Sequence, residues 1–256
     1  MSVHENGEHG MEKEKRTPVP QTEILTLGMG CFWGPEALFG HLPGVLYTRT
    51  GYAGGTTGSP VYRQLGDHSE TIEIEFAPSV ITLEQLLEMF WNHHNPSVIN
   101  GYKGRQYHSL LFYRNEQQRC TIEQMQQTAA SAVRSKSSKN PASSESAGTG
   151  NSGAIDPDGI EKRRMTEIQP YDTWYPAEAR HQKYYLQRQH RLMEQLYELY
   201  PDQAELFHST LAARLNGFSR GHITLAQIRQ DIPQWPLSEH HKYRINQWLA
   251  DQQDEQ

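Results

Sequence analysis

Cys31 is the residue in this sequence best suited to covalent chemistry. It lies in the run Gly30-Cys31-Phe32-Trp33-Gly34-Pro35-Glu36, after a predicted strand and just before a predicted helix. Unpaired N–H groups at a helix N-terminus favour an anion, so this position is expected to lower the thiol pKa and make Cys31 a nucleophile. Most free cysteines are only small buried hydrophobic residues, and that interpretation stays open for Cys31 taken alone.

Two aromatic side chains, Phe32 and Trp33, follow the thiol directly, and glycines flank the run. Glycine allows a ligand to approach the backbone closely, so the run predicts a thiol in an aromatic pocket. The alternative is that both rings are ordinary core residues.

The chain has only two cysteines, Cys31 and Cys120, among its 256 residues. This count excludes a disulfide framework and a cysteine-based structural zinc site. The adjacent pairs His93-His94 and His240-His241 lack the i, i+4 spacing with which a helix holds a metal. We therefore expect neither a metal nor a bound cofactor.

The overall charge is −6, from 24 Lys and Arg against 30 Asp and Glu. Such a balance lacks the basic surface that phosphate-backbone binding requires, so nucleic acid is not an expected partner. No run approaches the roughly 18 apolar residues of a membrane span, and the first twenty residues lack the apolar region of a secretory signal. We expect a cytoplasmic protein, and the composition gives no sign of oligomerisation, so we expect a monomer.

The pattern of apolar residues predicts an α/β or α+β fold, with one compact sheet and helices packed on it. Alternation and apolar runs predict four strands, at residues 23–29, 45–52, 71–76 and 110–113. A helix is predicted from Gly34-Pro35-Glu36 toward Leu42, with Pro35 at its first position, and others start at Thr82 and Glu116.

Composition divides the chain into several regions. Residues 1–20 are polar and charged and are predicted to be a disordered tail, and a Ser- and Gly-rich insertion is predicted at about 135–160. A domain at 21–185 contains that insertion. Residues 186–256 read as a small helical extension, with helix starts at Asp202, Thr224 and Ser238 and one helix running from Asp202 to Asn216-Gly217.

Six segments occur in an order typical of one enzyme family. They are Gly30–Gly34; Pro43-Gly44-Val45 with residues 51–55; Pro60-Val61-Tyr62 with residues 66–70; Phe90-Trp91 to Pro96; residues 104–109; and Thr166-Glu167-Ile168 with Tyr175-Pro176-Ala177-Glu178 and His181-Gln182. Together they resemble the A-type peptide methionine sulfoxide reductases over about residues 23 to 185. The resemblance implies that family's mixed sheet packed with helices and its oxidoreductase activity.

The resemblance also implies a role for each matching residue. The Cys31 thiolate would attack the sulfur of a methionine S-sulfoxide, and Glu70 would protonate the departing oxygen. Glu70 must then be protonated at neutral pH, which burial would favour. An isolated Glu at the start of a strand is more often a solvated acid. A further implication is a pocket of Phe32 and Trp33 for the S-methyl group.

Tyr62 and Tyr107 match the tyrosines that polarise the sulfoxide in this family. At the place of a family aspartate, five residues before Tyr107, this sequence has Tyr102. A phenol is uncharged at neutral pH, so recognition of the substrate is expected to differ there.

Recycling of the enzyme would also differ from the common pattern. The product at Cys31 is a sulfenic acid, which a second thiol must reduce. The resolving cysteines that many members carry near the C-terminus are missing, because no cysteine follows Cys120. We expect Cys120 to be incidental, and an external thiol, such as thioredoxin or glutaredoxin with glutathione, to act as the reductant. These departures resemble an atypical branch with a helical C-terminal extension.

Two functional hypotheses follow. The first is a thiol-dependent reductase of protein-bound and free methionine S-sulfoxide, which repairs proteins during oxidative stress. The alternative is a low-turnover sulfoxide-binding or adaptor module that acts through the C-terminal helices.

Overall fold

A computed structural model describes residues 21–137 and 163–254. The predicted tail at 1–20 and most of the predicted insertion lie outside the described residues. Within those two ranges, none of the helices is long and apolar enough to cross a membrane.

Six strands form one sheet in the order β5-β4-β1-β3-β2-β6. Their bounds are β1 Glu23–Met29, β2 Val45–Ala53, β3 Ser69–Phe76, β4 Ser109–Tyr113, β5 Glu167–Pro170 and β6 Trp174–Pro176. All neighbours are antiparallel except β4 and β5, which are parallel. The sheet is therefore mixed, and the four strands predicted from apolar patterning are confirmed.

The sheet is strongly curled. Strands β5 and β6 lie at opposite edges, yet only residues 171–173 join them. In a flat sheet the edges would lie about 24 Å apart, since neighbouring strands are about 4.8 Å apart. The four peptide steps from Pro170 to Trp174 reach at most about 14 Å. The two edges must therefore approach each other around the face of the sheet.

Four α-helices lie within residues 21–137. They are α1 Trp33–Gly40, α2 Leu83–Asn92, α3 Pro96–Ile99 and α4 Glu116–Ser137. Helices α1, α2 and α4 contribute side chains to the same apolar cluster as the sheet. The predicted capping box is present, since Thr82 and Gln85 exchange hydrogen bonds at the start of α2. Helix α1 starts at Trp33, so the prediction of Pro35 at the first helical position is wrong by two residues. The proline still lies in the first turn, where its missing N–H leaves no hydrogen bond unmade.

The described part of the C-terminal region contains five α-helices: α5 His190–Leu199, α6 Gln203–Phe207, α7 Thr210–Ser219, α8 Leu225–Asp231 and α9 Glu239–Asp254. Short 3-10 helices lie at Leu186–Arg188 and Ile232–Gln234. The predicted starts at Asp202 and Thr224 are confirmed by their side-chain caps, and Ser238 accepts the N–H of His241 at 3.3 Å. The single helix predicted from Asp202 to Gly217 is wrong. It is broken because the Ser209 hydroxyl accepts the N–H of Ala212 and starts a new helix.

Two large apolar clusters lie in different parts of the molecule. The first combines side chains of the sheet with those of α1 and α2, and the second begins at Leu186 and contains only C-terminal residues. Helix α1 packs against α7, where the first cluster borders the second. The domain boundaries inferred from composition stay a prediction.

Candidate active site

Strand topology brings the sequence-predicted residues to one end of the sheet. Met29, at the end of β1, pairs with Ser109, at the start of β4. Because β1 is also antiparallel to β3, its end lies beside the start of β3, where Glu70 is located. Cys31 follows β1 by two residues, and Tyr107 precedes β4 by two residues. Three segments that are distant in sequence therefore meet at this point.

The other edge of the sheet supplies the rest of the pocket. Tyr52 of β2 pairs with both Glu70 and Tyr175 of β6. The chain after β2 leads to Tyr62, whose backbone N–H donates to Glu178 at 3.2 Å. The chain after β6 leads through Glu178 to His181. The segments that follow β2 and β6 thus add their residues to those at the ends of the central strands.

Cys31 is partly buried at the turn between β1 and α1. Gly30 adopts φ +87°, a left-handed conformation that a glycine takes without steric cost, and this lets the chain turn. Burial raises the pKa of the thiol, and the nearby Glu70 raises it further, although hydrogen bonds from the Trp33 N–H and the Tyr107 hydroxyl oppose the shift. The predicted lowering of this pKa is therefore wrong for the resting site, because desolvation outweighs the helix N-terminus.

Glu70 is 1% exposed, so it is not the solvated acid that an isolated Glu would be. Its two carboxyl oxygens accept the N–H of Phe32 at 3.1 Å and the amide of Gln106 at 2.8 Å. Burial raises the pKa of Glu70 even though both of these donors act to lower it. The direction agrees with the expectation of a protonated acid. The side chain lies next to the thiol, since it accepts the N–H of Phe32, the residue directly after Cys31.

Tyr62 and Tyr107 both lie close enough to Cys31 and Glu70 to be affected by their charges, and the Tyr62 ring also packs 4.5 Å from that of His181. Burial raises the pKa of each phenol, and the charges of Glu70 and Cys31 raise it further. Both hydroxyls therefore stay protonated over the physiological range and can donate hydrogen bonds to a ligand oxygen.

Phe32 and Trp33 form an aromatic wall beside the thiol. Phe32 is 1% exposed, and its ring lies 5.4 Å from that of His181. The indole of Trp33 stacks on Tyr184 with 3.6 Å between ring centroids and 9° between planes, and its Nε1–H donates to Nδ1 of His181 at 3.3 Å. The Trp33 ring is thus held in place by Tyr184 and His181.

Sequence reasoning missed three residues of this site: Gln106, His181 and Tyr184. Gln106 and His181 lie inside segments that carried the family resemblance, so those segments were the available signal. Tyr184 gave no sequence signal. His181 is 4% exposed, and burial lowers its pKa, so the imidazole is neutral and can accept the Trp33 hydrogen bond.

Tyr102 and Cys120, which differ from the common family pattern or lack a role in it, lie in two different places. The Tyr102 ring is 58% exposed and stacks on Tyr107 at 5.8 Å, so it borders the site. Cys120 is exposed on α4, and its Sγ lies 3.7 Å from Glu116. Among the described residues, no group of three or more His, Cys, Asp or Glu side chains is placed to hold a metal.

Known proteins similar to this chain share one description. The family model for peptide methionine sulfoxide reductase matches residues 23–145. A peptide methionine sulfoxide reductase of Drosophila melanogaster is 39% identical over 196 residues, which are 77% of this chain and 68% of that protein. Peptide methionine sulfoxide reductase A5 of Oryza sativa subsp. japonica is 37% identical over 201 residues, again 77% of this chain and 68% of that protein.

Among solved structures, methionine sulfoxide reductase A of Corynebacterium diphtheriae matches with a TM-score of 0.49 and 28% identity, covering 67% of this chain and 77% of that one. The Drosophila match is the stronger finding, because it extends over more than two thirds of both proteins at 39% identity. On that ground, and with the matching family model, this chain belongs to the peptide methionine sulfoxide reductase family.

Proposed function

We propose that this protein reduces methionine S-sulfoxide, free or within proteins, to methionine, and so repairs oxidised proteins. The observation that carries the proposal is the buried Glu70 carboxyl. It accepts the backbone N–H of Phe32, the residue directly after Cys31, at 3.1 Å, and its charge raises the pKa of the Cys31 thiol. An acid placed beside a thiol in an aromatic pocket suits the transfer of an oxygen atom from a sulfoxide.

The pocket offers the substrate both an apolar surface and hydrogen-bond donors. The S-methyl group would lie against Phe32 and Trp33, which offer an apolar surface. The sulfoxide oxygen would then face Glu70, Tyr62 and Tyr107, whose hydroxyl and carboxyl protons can all be donated to it. Such hydrogen bonds withdraw electrons from the sulfoxide sulfur and make it more electrophilic.

The chemical step needs one proton relay. Sγ of Cys31 attacks the sulfoxide sulfur while Glu70 gives its proton to the oxygen. The sulfur–oxygen bond of the substrate breaks, the hydroxyl passes to Sγ, and methionine leaves. The thiol proton returns to the Glu70 carboxylate. The substrate sulfur gains two electrons, and Cys31 loses two as it becomes a sulfenic acid.

Reduction of the sulfenic acid would use an external dithiol or two thiols. One thiol attacks Sγ and releases water, and the resulting mixed disulfide is broken by a second thiol, which frees Cys31 and leaves an oxidised disulfide. We propose thioredoxin, or glutaredoxin with glutathione, as this reductant. Cys120 is exposed on α4, and we assign it no part in recycling.

We also propose that the protein is a cytoplasmic monomer. The alternative of an adaptor module has no support from the site or from the similar proteins.

Single-turnover kinetics test the proposal. The purified protein is mixed with the S and R epimers of dabsyl-methionine sulfoxide without added thiol, in parallel with Cys31→Ser and Glu70→Gln. We expect about one equivalent of methionine per protein from the S epimer alone, none with Cys31→Ser, and slower formation with Glu70→Gln. No methionine from either epimer, in a folded protein with a free Cys31 thiol, would overturn the proposal.

A further inference from the structure

The stacked pair Trp33 and Tyr184 belongs to segments that are about 150 residues apart in sequence. Trp33 is the first residue of α1, and Tyr184 follows β6 in the stretch that leads to the C-terminal helices. Two rings whose centroids are 3.6 Å apart and whose planes meet at 9° tolerate little displacement, so both segments must be fixed in relation to each other.

An ion pair fixes the residue just before Tyr184. Lys183 is fully buried, its Nζ donates to Glu36 of α1 at 2.7 Å, and its backbone N–H donates to the same carboxylate at 2.7 Å. The backbone of Lys183 has φ +48°, which is unfavourable for a residue with a side chain. Such a conformation persists only where contacts on both sides of the residue hold it.

Asn216 of α7 supplies the contact on the other side. Its Oδ1 accepts the backbone N–H groups of Tyr185 and Leu186, each at 3.1 Å. The side chain is fully buried, and its Nδ2 has no hydrogen-bond partner among the described residues. An unpaired buried donor is unfavourable. The two hydrogen bonds that Oδ1 accepts are therefore the reason for an asparagine at this position.

The same helix also grips the far end of α1. A Cβ on Gly40 would lie 2.9 Å from the Ala213 carbonyl oxygen, so the two helices approach backbone to backbone. Arg214 is buried, donates to the Gly40 carbonyl at 2.7 Å, and is paired with Asp231 at 2.8 Å. Helix α7 therefore contacts both segments that carry the stacked rings.

We propose that Asn216 is a positioning residue for the sulfoxide pocket, and that α7 makes the C-terminal helices part of the active-site architecture. Asn216 anchors the chain after Tyr184, Lys183 anchors the chain before it, and the ring is held flat on Trp33. This inference rests on the proposed function, because the pocket is the one assigned there to the S-methyl group.

The test separates substrate binding from chemistry in the full-length protein. Asn216→Ala is compared with wild type for the S-sulfoxide concentration that half-saturates single turnover and for the maximal rate. We expect the half-saturating concentration to rise about tenfold and the maximal rate to change less than about twofold, since Cys31 and Glu70 are untouched. A fall in the maximal rate alone, or no change, would overturn the proposal.

A double-mutant cycle shows whether Asn216 acts through Tyr184. In a Tyr184→Ala background, Asn216→Ala is expected to change the half-saturating concentration less than about twofold, because the ring it positions is gone. A full tenfold further rise would contradict this route.

Two more variants separate positioning from general loss of stability. Leu249→Ala removes a buried side chain of the second apolar cluster and is expected to lower the unfolding temperature without raising the half-saturating concentration. Asn216→Asp keeps an oxygen at the anchor and is expected to stay within about threefold of wild type. A rise with Leu249→Ala, or an Asp variant as weak as Ala, would overturn the proposal. If wild type itself yields no methionine, the proposed function fails instead.

Discussion

The end of the sheet near Cys31 and the boundary between α1 and α7 both bury carboxyl groups, but the partners of those carboxyl groups differ. At the boundary, Asp231 pairs with Arg214, and Glu36 pairs with Lys183. At the sheet end, Glu70 is 1% exposed and accepts only neutral N–H donors, with no salt bridge among the described residues. Burial therefore serves two purposes in this molecule. A carboxyl paired with a cation fastens two segments together, whereas Glu70 has no cation in a salt bridge within the described part of the chain, and burial shifts its pKa toward the protonated form.

The largest expected effect separates these two kinds of carboxyl by activity. Glu70→Gln should lower the maximal single-turnover rate by about 10² to 10⁴-fold, because the amide cannot protonate the sulfoxide oxygen. Stopped-flow measurement with the S-sulfoxide gives this rate. Glu75→Gln, on the same strand, is the matched control and should keep the wild-type rate. Equal rates for Glu70→Gln and wild type would remove the distinction.

The second expected effect is a loss of stability when the carboxyl of Asp231 loses its paired cation. Arg214→Met should lower the free energy of unfolding by about 3 to 5 kcal/mol, because it leaves Asp231 buried without its cation. Denaturant unfolding measures the loss. Arg244→Met, on α9, serves as the control and should change stability by less than about 0.5 kcal/mol. A loss no greater than that of the control would mean that the buried pair contributes little.

A smaller expected effect is the pH dependence of the single-turnover rate, which reports the protonation of Glu70. Glu70 acts in its protonated form, and burial raises its pKa above the ordinary 4.5, so the single-turnover rate should be full at low pH and fall as pH rises through the shifted value. Gln106 donates to the ionised carboxylate and opposes this shift. Gln106→Leu should therefore move the fall in rate to higher pH.

The midpoint of the pH profile, measured for wild type and Gln106→Leu, checks this direction. Gln124→Leu, on α4, is the control and should leave the midpoint unchanged. A midpoint that moves to lower pH in Gln106→Leu would show that the amide does not stabilise the carboxylate.

Local patterns predicted most of the secondary structure. The alternation of Ile72, Ile74 and Phe76 with glutamates predicted β3, and the Thr82–Gln85 spacing predicted the start of α2. Such signals work because side-chain direction and end-capping are properties of a few neighbouring residues. They failed at His208, where the apolar spacing ran through a break that the Ser209 cap imposes.

The site was harder to predict, because its properties depend on residues far apart in sequence. The position of Cys31 before a helix is local, and it suggested a low pKa, but the burial that raises the pKa comes from the whole pocket. Tyr184 carries no local signal, and the Asn216-Gly217 pair suggested only a helix end. Each residue matters through a contact with a distant segment.

The three-residue connection between β5 and β6 has a consequence for local unfolding. These two short strands lie at opposite edges and join the ends of the curled sheet. Among the described residues, each pairs with only one neighbouring strand through few residues, so we expect both to unfold locally before the central strands do. Because β6 leads directly to His181 and Tyr184, such an opening would remove the two side chains that hold the Trp33 ring in place. Cys31 and Glu70, attached to the central strands β1 and β3, would stay in place. Local unfolding of β5 and β6 would thus weaken substrate binding and leave the reactive groups in position.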